Sequence, residues 1–99
     1  MRVVGAHSDQ PFVEVVPRLL EERGMSLRAL ARAAEVNAGH LSRVLRQRDY
    51  KSPSAELTER VALAFELPRD YFPEFREAVV IRRIRSDARL RDEVYRTLQ

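Results

Sequence analysis

Cysteine is absent from the 99 residues, and that one absence removes disulfide frameworks, thiolate metal sites and cysteine nucleophiles together. Folding must then rest on apolar packing, and a reducing compartment suits the chain. Long apolar runs are missing as well. No segment approaches the roughly 18 apolar residues a membrane span needs, and Met1 to Gln10 lacks the apolar stretch of a secretory leader. The chain is therefore expected to be soluble and cytoplasmic, with no membrane partner. Glycine is scarce, and neither a nucleophile elbow nor a phosphate loop can be built from Gly5, Gly24 and Gly39. The two histidines, His7 and His40, stand far apart, and no metal-ligand pair occurs at helical spacing. No enzyme, cofactor or metal is expected.

What is present is charge, unevenly placed. The formal net charge is only +3, yet residues 25–52 carry +4 and residues 76–99 carry +3 around an acidic stretch, 53–75, of −3. Positive charge gathered in blocks suits contact with a polyanion on one face, although solvated helix faces would look the same. Of the 18 basic residues only Lys51 is a lysine. The arginine bias reads chiefly as genomic base composition and secondarily as a preference for bidentate phosphate and guanine contacts.

Ninety-nine residues allow one domain with an appendage. With no period-2 alternation long enough to require a sheet, the expected class is all-α. Residues 1–10 read as a flexible tail. Asp9 or Gln10 can precede a first helix from Pro11, in which Pro17 is expected to leave Val13 to Val16 irregular, with the firm part running from Pro17 to Arg23 and ended by Gly24. Ser26 caps a second helix whose Leu27, Leu30, Ala31 and Ala34 form one apolar stripe. Asn37 caps a third, reaching Asp49, that turns Leu41, Val44 and Leu45 inward and His40, Arg43, Arg46 and Gln47 outward. Either Ser52 or Ser54 caps a fourth, Ala55 to Glu66, burying Leu57, Val61, Ala64 and Phe65. Pro68 and Pro73 bracket a turn holding Tyr71 and Phe72. A helix over Glu74 to Ile84 and a last one capped by Ser86 follow.

Two short helices joined by about three residues must cross steeply, the geometry of a helix-turn-helix. Counted from Leu27, apolar residues fall at the fourth (Leu30), eighth (Ala34), tenth (Val36), fifteenth (Leu41) and eighteenth (Val44) positions, with small Ala31 at the fifth. In these residues the chain resembles the phage-repressor or Cro-like (xenobiotic-response-element) helix-turn-helix family. The resemblance covers Leu19 to Phe72, with Leu20 and Met25 closing the core around the pair. Two positions depart from the family pattern: Glu35 stands where glycine is usual in the turn, and Leu27 where glutamine usually reaches a phosphate.

The resemblance implies a lambda-repressor-like domain over 11–72 whose third helix enters the major groove of duplex DNA. Ala38, Gly39, His40 and Arg43 would then lie nearest base edges, with Ala38 limited to a thymine methyl and Arg43 suited to guanine. Phosphate contacts would come from Ser26, Arg28, Asn37, Ser42, Arg46, Arg48, Tyr50 and Lys51. It also implies a transcriptional regulator, more often a repressor, acting by occupying an operator.

Residues 73–99 form a helical extension whose apolar side chains, Val80, Ile81, Ile84, Leu90, Val94 and Leu98 among them, exceed what one short helix can bury. They either fold back on the four-helix unit or pair with a second chain. Pairing is the favoured expectation, giving a homodimer on a pseudo-palindromic site. A different class of function stays open: a protein-binding adaptor or antitoxin-like module that uses this C-terminal apolar surface to hold a protein partner.

Overall fold

Residues 7–46 and 52–99 are described by the computed structural model, and all of their regular structure is helical. The helices are α1 (Phe12–Arg23), α2 (Leu27–Ala34), α3 (Ala38–Arg46), α4 (Ala55–Ala64), α5 (Pro73–Ser86) and α6 (Ala88–Thr97). The expected all-α class is what is found. No helix among the described residues is long and apolar enough to cross a membrane.

α1 is continuous through Pro17, which corrects the expectation of an irregular stretch from Val13 to Val16. Phe12, Val15, Val16 and Leu19 share the buried face, while Pro17 is exposed. Burying those four side chains contributes roughly 1.5–3 kcal/mol each, whereas a proline in a helix interior costs about 3 kcal/mol. Burial wins. Gly24 ends α1 in a left-handed conformation at φ 60°, as its position implied.

The caps of the next two helices fall where their residue types demand. Ser26 Oγ accepts the Ala29 N–H at 3.0 Å, and Asn37 Oδ1 accepts the His40 N–H at 2.8 Å. Ser54, not Ser52, caps α4, taking the Leu57 N–H at 3.1 Å. At the C-terminal end Asp87, not Ser86, caps α6 by accepting the Leu90 N–H at 3.0 Å. Ser86 remains the last residue of α5, its hydroxyl bonded to the Arg83 carbonyl.

One core unites α1 to α4 with the turn that follows them. Phe12, Leu30, Leu41, Val61, Phe65 and Phe72 are fully buried, and the Phe12 and Phe72 rings meet edge-on at 4.9 Å. Val44, Leu45 and Ala64 are only partly buried against this core. Thr58 and Ala62 are fully buried in α4 instead, the threonine hydroxyl satisfied by the Ala55 carbonyl at 2.8 Å.

Of the ten residues expected to form a tail, His7 and Ser8 meet the turn before α5. Ser8 is buried, and its N–H donates to the Tyr71 carbonyl at 2.8 Å. Arg76 donates to the carbonyls of Asp70, Tyr71 and Ser8. Glu74, in the first turn of α5, accepts the Phe12 N–H at 3.0 Å and so caps α1 from 62 residues away. Because Pro11 offers α1 no side-chain cap, this carboxylate supplies one while also standing at the positive end of α5. Glu74→Ala is expected to lower stability by about 1–2 kcal/mol, and Glu74→Gln by less, in urea unfolding followed by circular dichroism. Equal midpoints for Glu74→Ala and the wild type would show that the cap contributes nothing.

Candidate nucleic-acid interface

Three residues, Glu35, Val36 and Asn37, separate α2 from α3. Glu35 is left-handed, at φ 59° and ψ 46°. Its N–H donates to the Arg32 carbonyl at 3.2 Å, and the Val36 N–H reaches back to the Ala31 carbonyl at 2.9 Å. These two bonds make a Schellman closure. Met25 to Leu20 and Leu67 to Ala62 repeat it at 2.9 Å around Gly24 and Glu66. The turn thus keeps the conformation glycine favours although glutamate occupies it, at a strain of about 1–2 kcal/mol. Arg60 of α4 steadies it, one guanidinium nitrogen donating to the Glu35 carbonyl at 2.9 Å and another meeting Glu56 at 3.0 Å. Nothing in the sequence marked Arg60 for this role beyond its helical spacing from Glu56.

From that turn α3 emerges with a divided surface. Leu41 is fully buried, and Ala38, Val44 and Leu45 pack partly against the core. Gly39, Arg43 and Arg46, spaced four and three apart, form one exposed strip. A Cβ built on Gly39 would stand 3.7 Å from Arg43 Nη1, so the guanidinium lies close over the space the glycine leaves open. It would also stand 3.1 Å from the capping oxygen of Asn37. Ser42 is half-buried at the edge of the strip.

His40 is exposed, but it does not share this strip. It lines a shallow groove of about 280 Å³ between α3 and the start of α4, with Asn37, Ser54 and Arg60 nearby. The base-reading group expected from the sequence is therefore split. Ala38 leans inward, Gly39 and Arg43 stay together, and His40 faces the neighbouring helix.

On α2, Arg28 is exposed, as are Ser26 just before the helix and Arg32, which the sequence reading had not singled out. Among the described residues Arg28, Arg32, Arg43 and Arg46 form no salt bridge, whereas Arg18, Arg60, Arg69, Arg83 and Arg91 each do. Over residues 25–46 these four arginines face a single acid, Glu35. Arg48, Tyr50 and Lys51, also expected at phosphates, lie outside the described residues, as do Gln47 and Asp49 at the end expected for the third helix.

The extension divides near its middle. Phe75 is buried where α5 docks beside α4, but Val79, Val80 and Ile81 are 48%, 54% and 43% exposed. Ile84, Leu90 and Val94 are half-buried, Leu98 is 76% exposed, and α6 buries no residue. Folding back therefore accounts for the first turns of α5 and not for the remainder. No protein-family model matches the chain, and comparison with curated proteins and with solved structures likewise gave no match.

Replacing Glu35 by glycine is expected to raise stability by about 0.5–1 kcal/mol, the relief of strain exceeding the added entropy of the unfolded chain. The same should hold at Glu66, and thermal melts of both variants check it. A lowered melting temperature for both would mean that the left-handed turns carry no strain to relieve.

Proposed function

We propose that the protein is a sequence-specific, double-stranded-DNA-binding regulator in which α2 and α3 act as a helix-turn-helix, α3 entering the major groove. The observation that carries this reading is the exposed Gly39, Arg43 and Arg46 strip on a short helix whose opposite side is locked into the core. A reading helix must be held rigidly, offer a hydrogen-bonding fork to base edges and meet no negative charge of its own. The strip meets all three needs.

In this reading Arg43 presents its guanidinium to guanine O6 and N7. Gly39 lets the helix backbone come close, and Ala38 at the first turn can touch only a thymine methyl. His40, directed toward α4, is left to phosphate or water contact. Asn37 Oδ1 is committed to the His40 N–H as its cap, which leaves the Ala38 and Gly39 N–H groups of α3 for a phosphate, while Ser26, Arg28, Ser42 and Arg46 position the backbone. A repressor acting by occupancy needs no catalytic or ligand-binding site beside this surface. The likeness of Leu27 to Val44 to the phage-repressor helix-turn-helix pattern supports the same reading.

The rival, a protein-binding module working through the C-terminal apolar side chains, rests on the exposure of Val79 to Ile81 and Leu98. The two part on what the arginines do. Selection from a randomised duplex pool, followed by anisotropy titration at several salt concentrations, is expected to yield a preferred sequence. If about six phosphates are neutralised, the log–log salt slope should be near −5. Arg43→Ala should weaken binding to the selected duplex by about 1–3 kcal/mol and relax preference at one base pair, while Arg46→Ala should weaken all duplexes alike. Binding that is undetectable or independent of salt would overturn the proposal in favour of the protein-binding rival.

A further inference from the structure

The second half of the extension stands away from the core. The radius of gyration is 15.3 Å and the extents are 47 × 34 × 21 Å, whereas a compact domain of this length has a radius near 13 Å. α6 is ten residues long and buries none of them. Helices that short are marginal in water without tertiary cover. Val79, Val80, Ile81, Tyr95 and Leu98 are exposed large apolar side chains, and three of them are consecutive on α5, a grouping that marks an interaction surface better than single scattered residues do.

The charge pattern around this surface identifies what covers it. At about 100° per residue, Val80, Ile81 and Ile84 fall in one sector of α5, away from the docked Phe75. Glu77, Ile81 and Arg85 form a single row four residues apart along that face, the type of ridge that packs into the groove of another helix. Glu77 and Arg85 are both exposed, and neither has a salt-bridge partner among the described residues, since Arg83 is the side chain that meets Asp87, at 3.6 Å. An apolar centre with an acid four residues before it and a base four residues after it is its own complement when reversed.

We propose that this face of α5 is the contact surface of a homodimer in which two α5 helices cross antiparallel about Ile81. Glu77 of each copy then meets Arg85 of the other, twice by symmetry. A separate open groove of about 430 Å³, lined by Phe75, Val79 and Val80 with Arg69, Asp70 and Arg76 at its rim, lies on the Phe75 side of α5 and is no part of this contact. A partner of another kind would need no such palindrome of charge. The interface stands apart from the DNA-binding reading and is measured without DNA.

Sedimentation velocity on the DNA-free chain is expected to give twice the 11.5 kDa mass at concentrations of about 10–100 μM. Ile81→Glu, a change at an exposed position that leaves the helix intact by circular dichroism, should raise the dissociation constant at least about 100-fold. Glu77→Arg and Arg85→Glu should each weaken the dimer about tenfold, and their combination should restore it to within about threefold of the wild type. A wild-type chain that stays monomeric at about 100 μM overturns the proposal. So does a dimer indifferent to Ile81→Glu, or single charge reversals whose combination brings no recovery.

Discussion

The left-handed turn at Glu35 is the constraint on which the exposed face of α3 depends. Within three residues the chain must leave α2, reverse and begin α3 with Leu41 facing the core, and the Schellman closure at Glu35 accomplishes this. A glutamate holds that conformation at a cost of about 1–2 kcal/mol. Burial of Leu30, Ala31, Ala34 and Leu41 offsets it several-fold, at roughly 25 cal/mol per Å² of apolar surface. The Arg60 hydrogen bond to the Glu35 carbonyl then couples the turn to α4, so the orientation of Arg43 and Arg46 is set by core packing rather than by the local preference of residue 35.

Much of this was legible in the sequence because it is local. Ser26, Asn37 and Gly24 declare their helix ends through side-chain chemistry or conformational freedom that acts within one turn, and each stands where its residue type implied. The misreadings share a different cause. Pro17 read as a breaker because its local cost is visible, while the compensating burial of Phe12, Val15, Val16 and Leu19 is tertiary. The cap that Glu74 provides for α1 crosses 62 residues and has no sequence signature. Ser86 and Asp87 are adjacent, both good caps, and periodicity alone could not separate them.

For the candidate surface the division is similar. Helical spacing correctly turned Arg43 and Arg46 outward together. It could not place His40, because α4 occupies the space beside α3 only after the core has formed, and the histidine then lines the groove between them. The extension was half legible. An excess of apolar residues was plain from composition and spacing. Only the fold distinguishes Phe75, which docks, from Val79 to Ile81, which do not.

The two proposals bear on each other through magnitude. In the proposed reading, Arg43 alone on the strip takes a bidentate base contact, Arg46 being assigned to phosphate, and such a contact discriminates by about 1–3 kcal/mol. Specific operators exceed nonspecific DNA by about 4–10 kcal/mol. A single copy with one strong reading group falls short of that range. Joining two copies through a two-fold about α5 doubles the reading groups and the phosphate contacts without any new residue, and it converts the second half-site contact into an intramolecular one. Under the two proposals the exposed face of α5 and the sparse strip on α3 compensate each other: a reading helix with one base-contacting arginine gains from a second copy of itself, and the extension presents a row whose charges match in reverse.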